Sequence, residues 1–193
     1  MEERGGGPPV NDENCQAPSL LILDVDETLL FASEKRLAHP AHFRAGEYYV
    51  YLRPGLHEFL QACARRYRLA VWSSAGADYL AIVRAHGFPA GIELEFIWSG
   101  QRCVRRYDPE WRETYDVKDL RKVKRRGYDL ARTLIVDDTP KKCERNYGNA
   151  IYVPEFRGDP ADDALPRLSA YLETLADVSD VRRLEKRRWR AHY

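Results

Sequence analysis

The chain has 193 residues, 44% of them hydrophobic and 32% charged, and a formal net charge of +1. That length allows one domain with a real core, and the make-up is that of an ordinary globular protein. It excludes a global field that would draw in nucleic acid or a membrane surface, and no apolar run reaches the length of a bilayer span.

Residues 1–17 are rich in Gly, Pro, Asn and Glu and read as a flexible tail. They lack the apolar stretch of a secretory signal, so a cytoplasmic setting is expected, or a nuclear one in a eukaryote. Cys15, Cys63, Cys103 and Cys143 form no Cys-x-x-Cys pair. Reduced thiols follow more readily than a zinc site or disulfides.

Leu20 to Asp24 is an unbroken apolar run ending in a carboxylate, which predicts a strand buried on both faces. Asp24 and Asp26 are spaced i, i+2, so one face of a strand, or one pocket at its tip, can hold both side chains. Two acids so close repel, unless a cation lies between them or one keeps a proton. Both outcomes suit phosphate chemistry: one Asp attacks, the other moves a proton, and Mg2+ neutralises the rest. The same stretch also reads as a plain strand end followed by an acidic helix cap.

Residues 31–52 read as a small insertion with a hairpin or flap, and Glu47 to Leu52 as one of its strands. Arg53-Pro54-Gly55 ends it and opens a helix to about Arg66, with Leu56, Phe59, Leu60 and Cys63 on one face. Leu69 to Trp72 predicts a strand ending in Ser73-Ser74, then a helix from Ala77 to His86. Leu94 to Trp98 is another strand, residues 99–117 are polar and irregular, and a short helix runs from Lys118 to about Arg126. Thr133 to Val136 is a strand ending in Asp137-Asp138, Ala150 to Val153 is the last strand, and Leu165 to Leu175 is an amphipathic helix. His39, His42 and His57 lack metal-ligand spacing and read as surface, whereas Trp72 and Trp98 read as core. Residues 176–193 form a basic tail. Its run Arg182 to Arg190 is either a solvated helix end or an arm for RNA or an acidic phosphopeptide.

Strands alternate with helices, so the expected fold class is α/β: a Rossmann-like parallel sheet flanked by helices, over residues 18–175. In such folds ligands bind at the C-terminal ends of the strands. Three of the strands so read end in functional side chains: Asp24 and Asp26, Ser73 and Ser74, Asp137 and Asp138. That regularity weighs against the plain helix cap.

These residues resemble the four motifs of the haloacid dehalogenase superfamily of phosphohydrolases. Asp24-Val25-Asp26-Glu27-Thr28 stands for the first, Ser73 for the second, Lys118 for the third and Asp137-Asp138 for the fourth. Arg53-Pro54-Gly55, Lys118-Asp119-Leu120 and Asp137 to Pro140 are closer still to one branch, the RNA polymerase II C-terminal-domain phosphatases and their NLI-interacting-factor-like relatives.

The resemblance implies a Mg2+-dependent phosphomonoesterase acting through an aspartyl-phosphate, with a phosphorylated protein or peptide as substrate. Asp24 would be the nucleophile and Asp26 the general acid and base. Ser73 would bind a phosphoryl oxygen and Lys118 would neutralise the transferring group. Asp24, the Asp26 carbonyl, Asp137 and Asp138 would hold the metal. Thr28 would orient the motif loop, with Ser74, Tyr79 and Arg102 on the substrate side. Asp119 reads as a helix cap.

The pattern also departs from the branch. The insertion is short, Gly76 replaces a Leu of the branch's hydrophobic pocket, and Gly100 replaces an Arg that Arg102 would substitute. Two alternatives therefore stand beside the protein phosphatase. One is a phosphatase of small metabolites or nucleic-acid ends, with the basic tail as a contact; the other is a non-catalytic phospho-ligand module.

Overall fold

The computed structural model describes residues 17–146 and 148–193. The expected flexible tail and Cys15 lie outside them, apart from Ala17. Strand β1 (Ser19–Leu23) is buried along its whole length. It leads through the Asp24–Thr28 loop to a three-stranded antiparallel sheet of β2 (Leu30–Ser33), β3 (Phe43–Ala45) and β4 (Tyr48–Leu52). This is the flap that residues 31–52 predict.

Helix α1 (Leu56–Arg66), β5 (Tyr67–Trp72), α2 (Ala77–Gly87) and β6 (Ile97–Trp98) follow. Then come β7 (Val104–Asp108) and β8 (Glu113–Val117), the short α3 (Arg121–Lys124), β9 (Thr133–Asp137), β10 (Ala150–Tyr152) and α4 (Ala164–Leu175). The main sheet has the order β10-β9-β1-β5-β6, and every pair in it is parallel.

The parity of β1 explains the two cores. Leu21 and Leu23 pack with the α1 and α4 residues Leu60, Leu168 and Leu172 on one face of the sheet. Leu20 and Ile22 pack with Trp72, Trp98 and Val123 on the other. Each fully buried Leu contributes roughly 2 kcal/mol, so a polar residue anywhere in β1 is costly. Trp72 and Trp98 meet edge to face at 4.9 Å, in the core as the sequence predicts.

Two segments differ from the sequence reading. Residues 99–117 are not irregular throughout: β7 and β8 pair in register from Val104↔Val117 to Asp108↔Glu113. Charges rather than an apolar stripe hold this hairpin. Lys141 reaches Asp108 and Glu113, both at 2.8 Å, and Arg105 lies 3.6 Å from Asp116. Trp111 in its turn is 72% exposed.

The basic segment after residue 176 forms neither a helix end nor a detached arm. It makes two 3-10 turns, Val181–Arg183 and Trp189–Ala191, whose Val181 and Trp189 are buried. The Trp189 indole donates to the Tyr152 carbonyl at 2.9 Å and stacks on Tyr171. Two predicted elements also shorten: β6 keeps only Ile97 and Trp98, and α3 only four residues. No helix of the described residues is long and apolar enough to cross a membrane.

Candidate active site

From β1 the chain crosses first to β5 and β6 on one side, then returns to β9 and β10 on the other. The crevice of a parallel sheet opens where that order reverses, between β1 and β9. Asp24 follows β1 and Asp137 ends β9, and the Asp24 N–H donates to the Val136 carbonyl at 3.0 Å. Sheet topology thus brings together carboxylates more than a hundred residues apart in sequence.

Lys118 lies between them. Its Nζ is 2.7 Å from Asp24 Oδ1 and 2.6 Å from Asp137 Oδ2, with all three side chains essentially buried. The Lys118 contact with Asp24 is an ion pair without hydrogen-bond alignment, whereas that with Asp137 is a true hydrogen bond. Burial works against the charge on Lys118, but Asp24 and Asp137 outweigh it and hold the ammonium above its ordinary pKa. Burial, with Asp24 adding to it, pushes Asp137 up, and Lys118 opposes that shift. Asn146 anchors the loop by bonding the Lys118 carbonyl and the Leu120 N–H. Asp119 takes the Arg121 N–H and pairs with Arg121 and Arg145; the cap position of α3 itself is Leu120, one residue on from the Asp119 that the sequence suggests.

Asp26 stands apart from this cluster. Tyr79 donates to its Oδ1 at 2.6 Å, and Ser73 donates to its Oδ2 at 3.3 Å. Burial raises its pKa, and the Tyr79 hydrogen bond only partly offsets that. A half-buried carboxyl held by two donors, with its pKa above the ordinary aspartate value, suits proton transfer.

Thr28 couples the first motif to the fourth: its Oγ1 accepts the Asp138 N–H at 3.1 Å and lies 3.3 Å from Asp138 Oδ1. Glu27, between Asp26 and Thr28, adopts φ 57, a left-handed conformation uncommon for a side-chain-bearing residue. Its N–H and carbonyl are both engaged, with Leu30 and Phe156, and this fixes the turn. Burial, then Asp26 and Asp138, push the Glu27 carboxyl up to about 7.

An open pocket of about 350 Å³ adjoins Asp26, walled by Glu27, Ala32, Tyr48, Ala75, Gly76 and Tyr79. A second groove of about 440 Å³ runs past Ser74, Gly100, Cys103 and Arg105. Arg102 is not among the residues that line either one. Its guanidinium lies over the Trp98 ring, 5.4 Å from the centroid. A Cβ at position 100 would lie 2.3 Å from the Ser74 carbonyl oxygen, which is why a glycine stands there.

One site residue escaped the sequence reading, and another was read there only as part of a motif. Arg53, 1% exposed, donates to the Thr28 carbonyl at 2.9 Å and the Pro154 carbonyl at 3.0 Å, and forks onto Asp162 at 2.7 and 2.9 Å. The Arg-Pro-Gly motif marked its position but not its partners. Lys142 Nζ lies 3.4 Å from Asp24 Oδ2 and 3.9 Å from Asp138 Oδ1, and nothing in the sequence distinguishes it from the surface lysine beside it.

Asp24, Asp137 and Asp138 each offer an oxygen within 4.8 Å of the others. Three carboxylate oxygens are the donor set that a hard divalent ion such as Mg2+ prefers, so the residues fit the expected metal. The Asp26 carboxylate is outside this group, which leaves its carbonyl as the expected ligand atom.

A sequence profile of NLI interacting factor-like phosphatases matches residues 19–182. The chain belongs to this family. It is 30% identical over 169 residues to a probable C-terminal domain small phosphatase of Dictyostelium discoideum, covering 84% of this chain and 52% of that protein. It is also 30% identical over 163 residues to the mitochondrial import inner membrane translocase subunit tim50 of Neurospora crassa, covering 82% of this chain and 28% of that one. Among solved structures it is similar to the fission yeast RNA polymerase II CTD phosphatase Fcp1 in an R271A variant bound to beryllium fluoride. The TM-score is 0.54 at 18% identity, over 84% of this chain and 51% of that one, a likeness of fold. The chain spans about half the length of the first of these relatives. The haloacid dehalogenase-like α/β fold that the sequence implies is the fold observed.

Proposed function

We propose that this chain is a Mg2+-dependent phosphomonoesterase acting on phosphoserine or phosphothreonine in protein, through an aspartyl-phosphate on Asp24. The observation that carries the reading is the division of labour among the acids. Asp24 is paired with Lys118, while Asp26 is held by Tyr79 and Ser73 beside an open pocket.

In the first step an Asp24 oxygen attacks phosphorus and the ester P–O bond breaks. Asp26 gives its proton to the departing alkoxide. In the second step Asp26 takes a proton from water, whose oxygen attacks the same phosphorus, and orthophosphate and free Asp24 result. Lys118 lies against the nucleophile and balances charge on the equatorial oxygens. Ser73 turns its hydroxyl between Asp26 and a phosphoryl oxygen. Asp24, the Asp26 carbonyl and Asp138 would hold Mg2+. Asp137 would complete the set, since its oxygens keep lone pairs beyond the bonds they accept from Lys118 and the Thr139 N–H. Bound there, the ion would neutralise the carboxylates and the phosphoryl oxygens around it.

The openness of both grooves favours a protein segment over a small metabolite, which a closed cap would suit better. Retention of Asp24, Asp26 and Lys118 argues against the non-catalytic module. Burial of Trp189 leaves less of the C-terminal segment free to act as a nucleic-acid arm. The test is hydrolysis of p-nitrophenyl phosphate with Mg2+, with EDTA and with Asp24→Asn. Metal-dependent turnover lost in the variant is expected. Turnover that survives Asp24→Asn would overturn the nucleophile, and no turnover with any divalent ion would overturn the reading as a general phosphatase.

A further inference from the structure

Lys142 enters the site from the 3-10 turn Pro140–Cys143, one turn beyond Asp138. Its contacts with Asp24 and Asp138, at 3.4 and 3.9 Å, are long for a charge-assisted hydrogen bond, and its side chain is 21% exposed. Lys118, by contrast, is sealed, with ion-pair contacts at 2.6–2.7 Å. One lysine is therefore a fixed part of the floor, and the other is a loosely held cation with a way out.

Its backbone is pinned: the Lys142 carbonyl accepts the Lys118 N–H at 2.8 Å, and its N–H donates to the Thr139 carbonyl at 3.0 Å. Motion is thus confined to the four-carbon stem. The neighbouring Lys141 is committed to Asp108 and Glu113 on the hairpin and cannot take its place.

Asp24 and Asp138, which Lys142 approaches, are two of the three carboxylates whose oxygens cluster within 4.8 Å. An ammonium and a divalent ion compete for the same lone pairs and repel each other across so short a distance. We propose that Lys142 is a movable second lysine of the phosphoryl site. It bridges Asp24 and Asp138 while they are free, yields their oxygens to the divalent ion, and then turns its ammonium to the phosphoryl oxygens of the substrate. This rests on the reading of Asp24 and Asp138 as metal-facing residues.

The test needs no turnover. Mn2+ binding to the substrate-free protein is followed by the paramagnetic resonance signal of free Mn2+. Lys142→Met, which keeps the stem and removes the charge, is expected to bind Mn2+ about tenfold tighter than the unaltered chain. With Mn2+ saturating, the same variant is expected to bind orthovanadate roughly tenfold more weakly, the loss of one hydrogen bond to a charged group. Lys142→Gln serves as a second neutral variant, and circular dichroism checks that both fold. Mn2+ binding equal to or weaker than that of the unaltered chain in both variants overturns the proposal, as does unchanged orthovanadate affinity. An unaltered chain that binds no Mn2+ overturns the metal reading and this proposal together. Mn2+ binding that ignores position 142 removes this proposal and leaves the phosphatase reading intact.

Discussion

The Tyr79 hydroxyl lies 2.6 Å from Asp26 Oδ1, so the residue expected to wall a substrate pocket also holds the expected general acid. Removing that hydroxyl frees the carboxyl to rotate. Tyr79→Phe is expected to lower kcat for p-nitrophenyl phosphate by roughly tenfold to a hundredfold, the scale of a small misplacement of a reacting group. The urea midpoint should move little. Steady-state kinetics beside an unfolding curve separates the two effects, and an unchanged kcat would refute the positioning role.

Arg53 and Asp162 make a buried fork between parts of the chain 109 residues apart. Asp162→Ala leaves the guanidinium buried without its counter-charge, which costs about 3–5 kcal/mol. Urea unfolding should register most of the protein's stability lost. Because Arg53 also holds the Thr28 carbonyl, the surviving folded fraction should show reduced activity per molecule.

Gly100 faces the Ser74 carbonyl. The obstacle is backbone, which cannot swing aside as a long side chain would. Gly100→Ala is expected to cost about 1–3 kcal/mol and to displace the Ser73–Ala75 loop. A raised KM beside the lower stability would report that displacement, whereas Gly76→Ala, with open space around it, should cost far less.

Slight desolvation of the otherwise exposed ring, then the neighbouring His39 and His57, lower the pKa of His42, and its Nδ1 accepts the Leu52 N–H at 3.1 Å. The folded state therefore binds this proton less readily than the unfolded chain does. Stability from His42 is complete above the ordinary histidine pKa and falls as pH drops through it toward the depressed value. Thermal melts from pH 8 to pH 5 should fall more steeply in the unaltered chain than in His42→Asn, whose amide oxygen keeps the acceptor without the titration.

The strands that carry the site were legible because each is a solid apolar run with a chemical signal at its end. Leu20 to Leu23 and Thr133 to Val136 could be buried only between two layers, and their terminal acids had to meet at the sheet's tip. The β7–β8 hairpin was illegible for the opposite reason. Its pairing is secured by Lys141 and by Arg105 with Asp116, contacts without an apolar period. Lys142 was hidden because a lysine's role depends on where its stem is anchored, and only the fold reveals that the stem rises beside Asp24. Arg102 was expected to stand in for an arginine that the branch carries at position 100, and only the fold reveals that its guanidinium lies over Trp98.

The Arg53 fork bears on how the protein is made. The guanidinium clasps Thr28, Pro154 and Asp162, so a ribosome must deliver residue 162 before the first motif's loop can be locked. Strand β1 likewise waits for β9, more than a hundred residues behind it. A nascent chain stalled before Thr133 would hold its flap and its first βαβ crossover yet lack β9 and the Asp137 and Asp138 that it carries to the site. The proposed chemistry would thus arrive late in synthesis, and a fragment released early would carry Asp24 and Asp26 without Asp137 and Asp138 beside them.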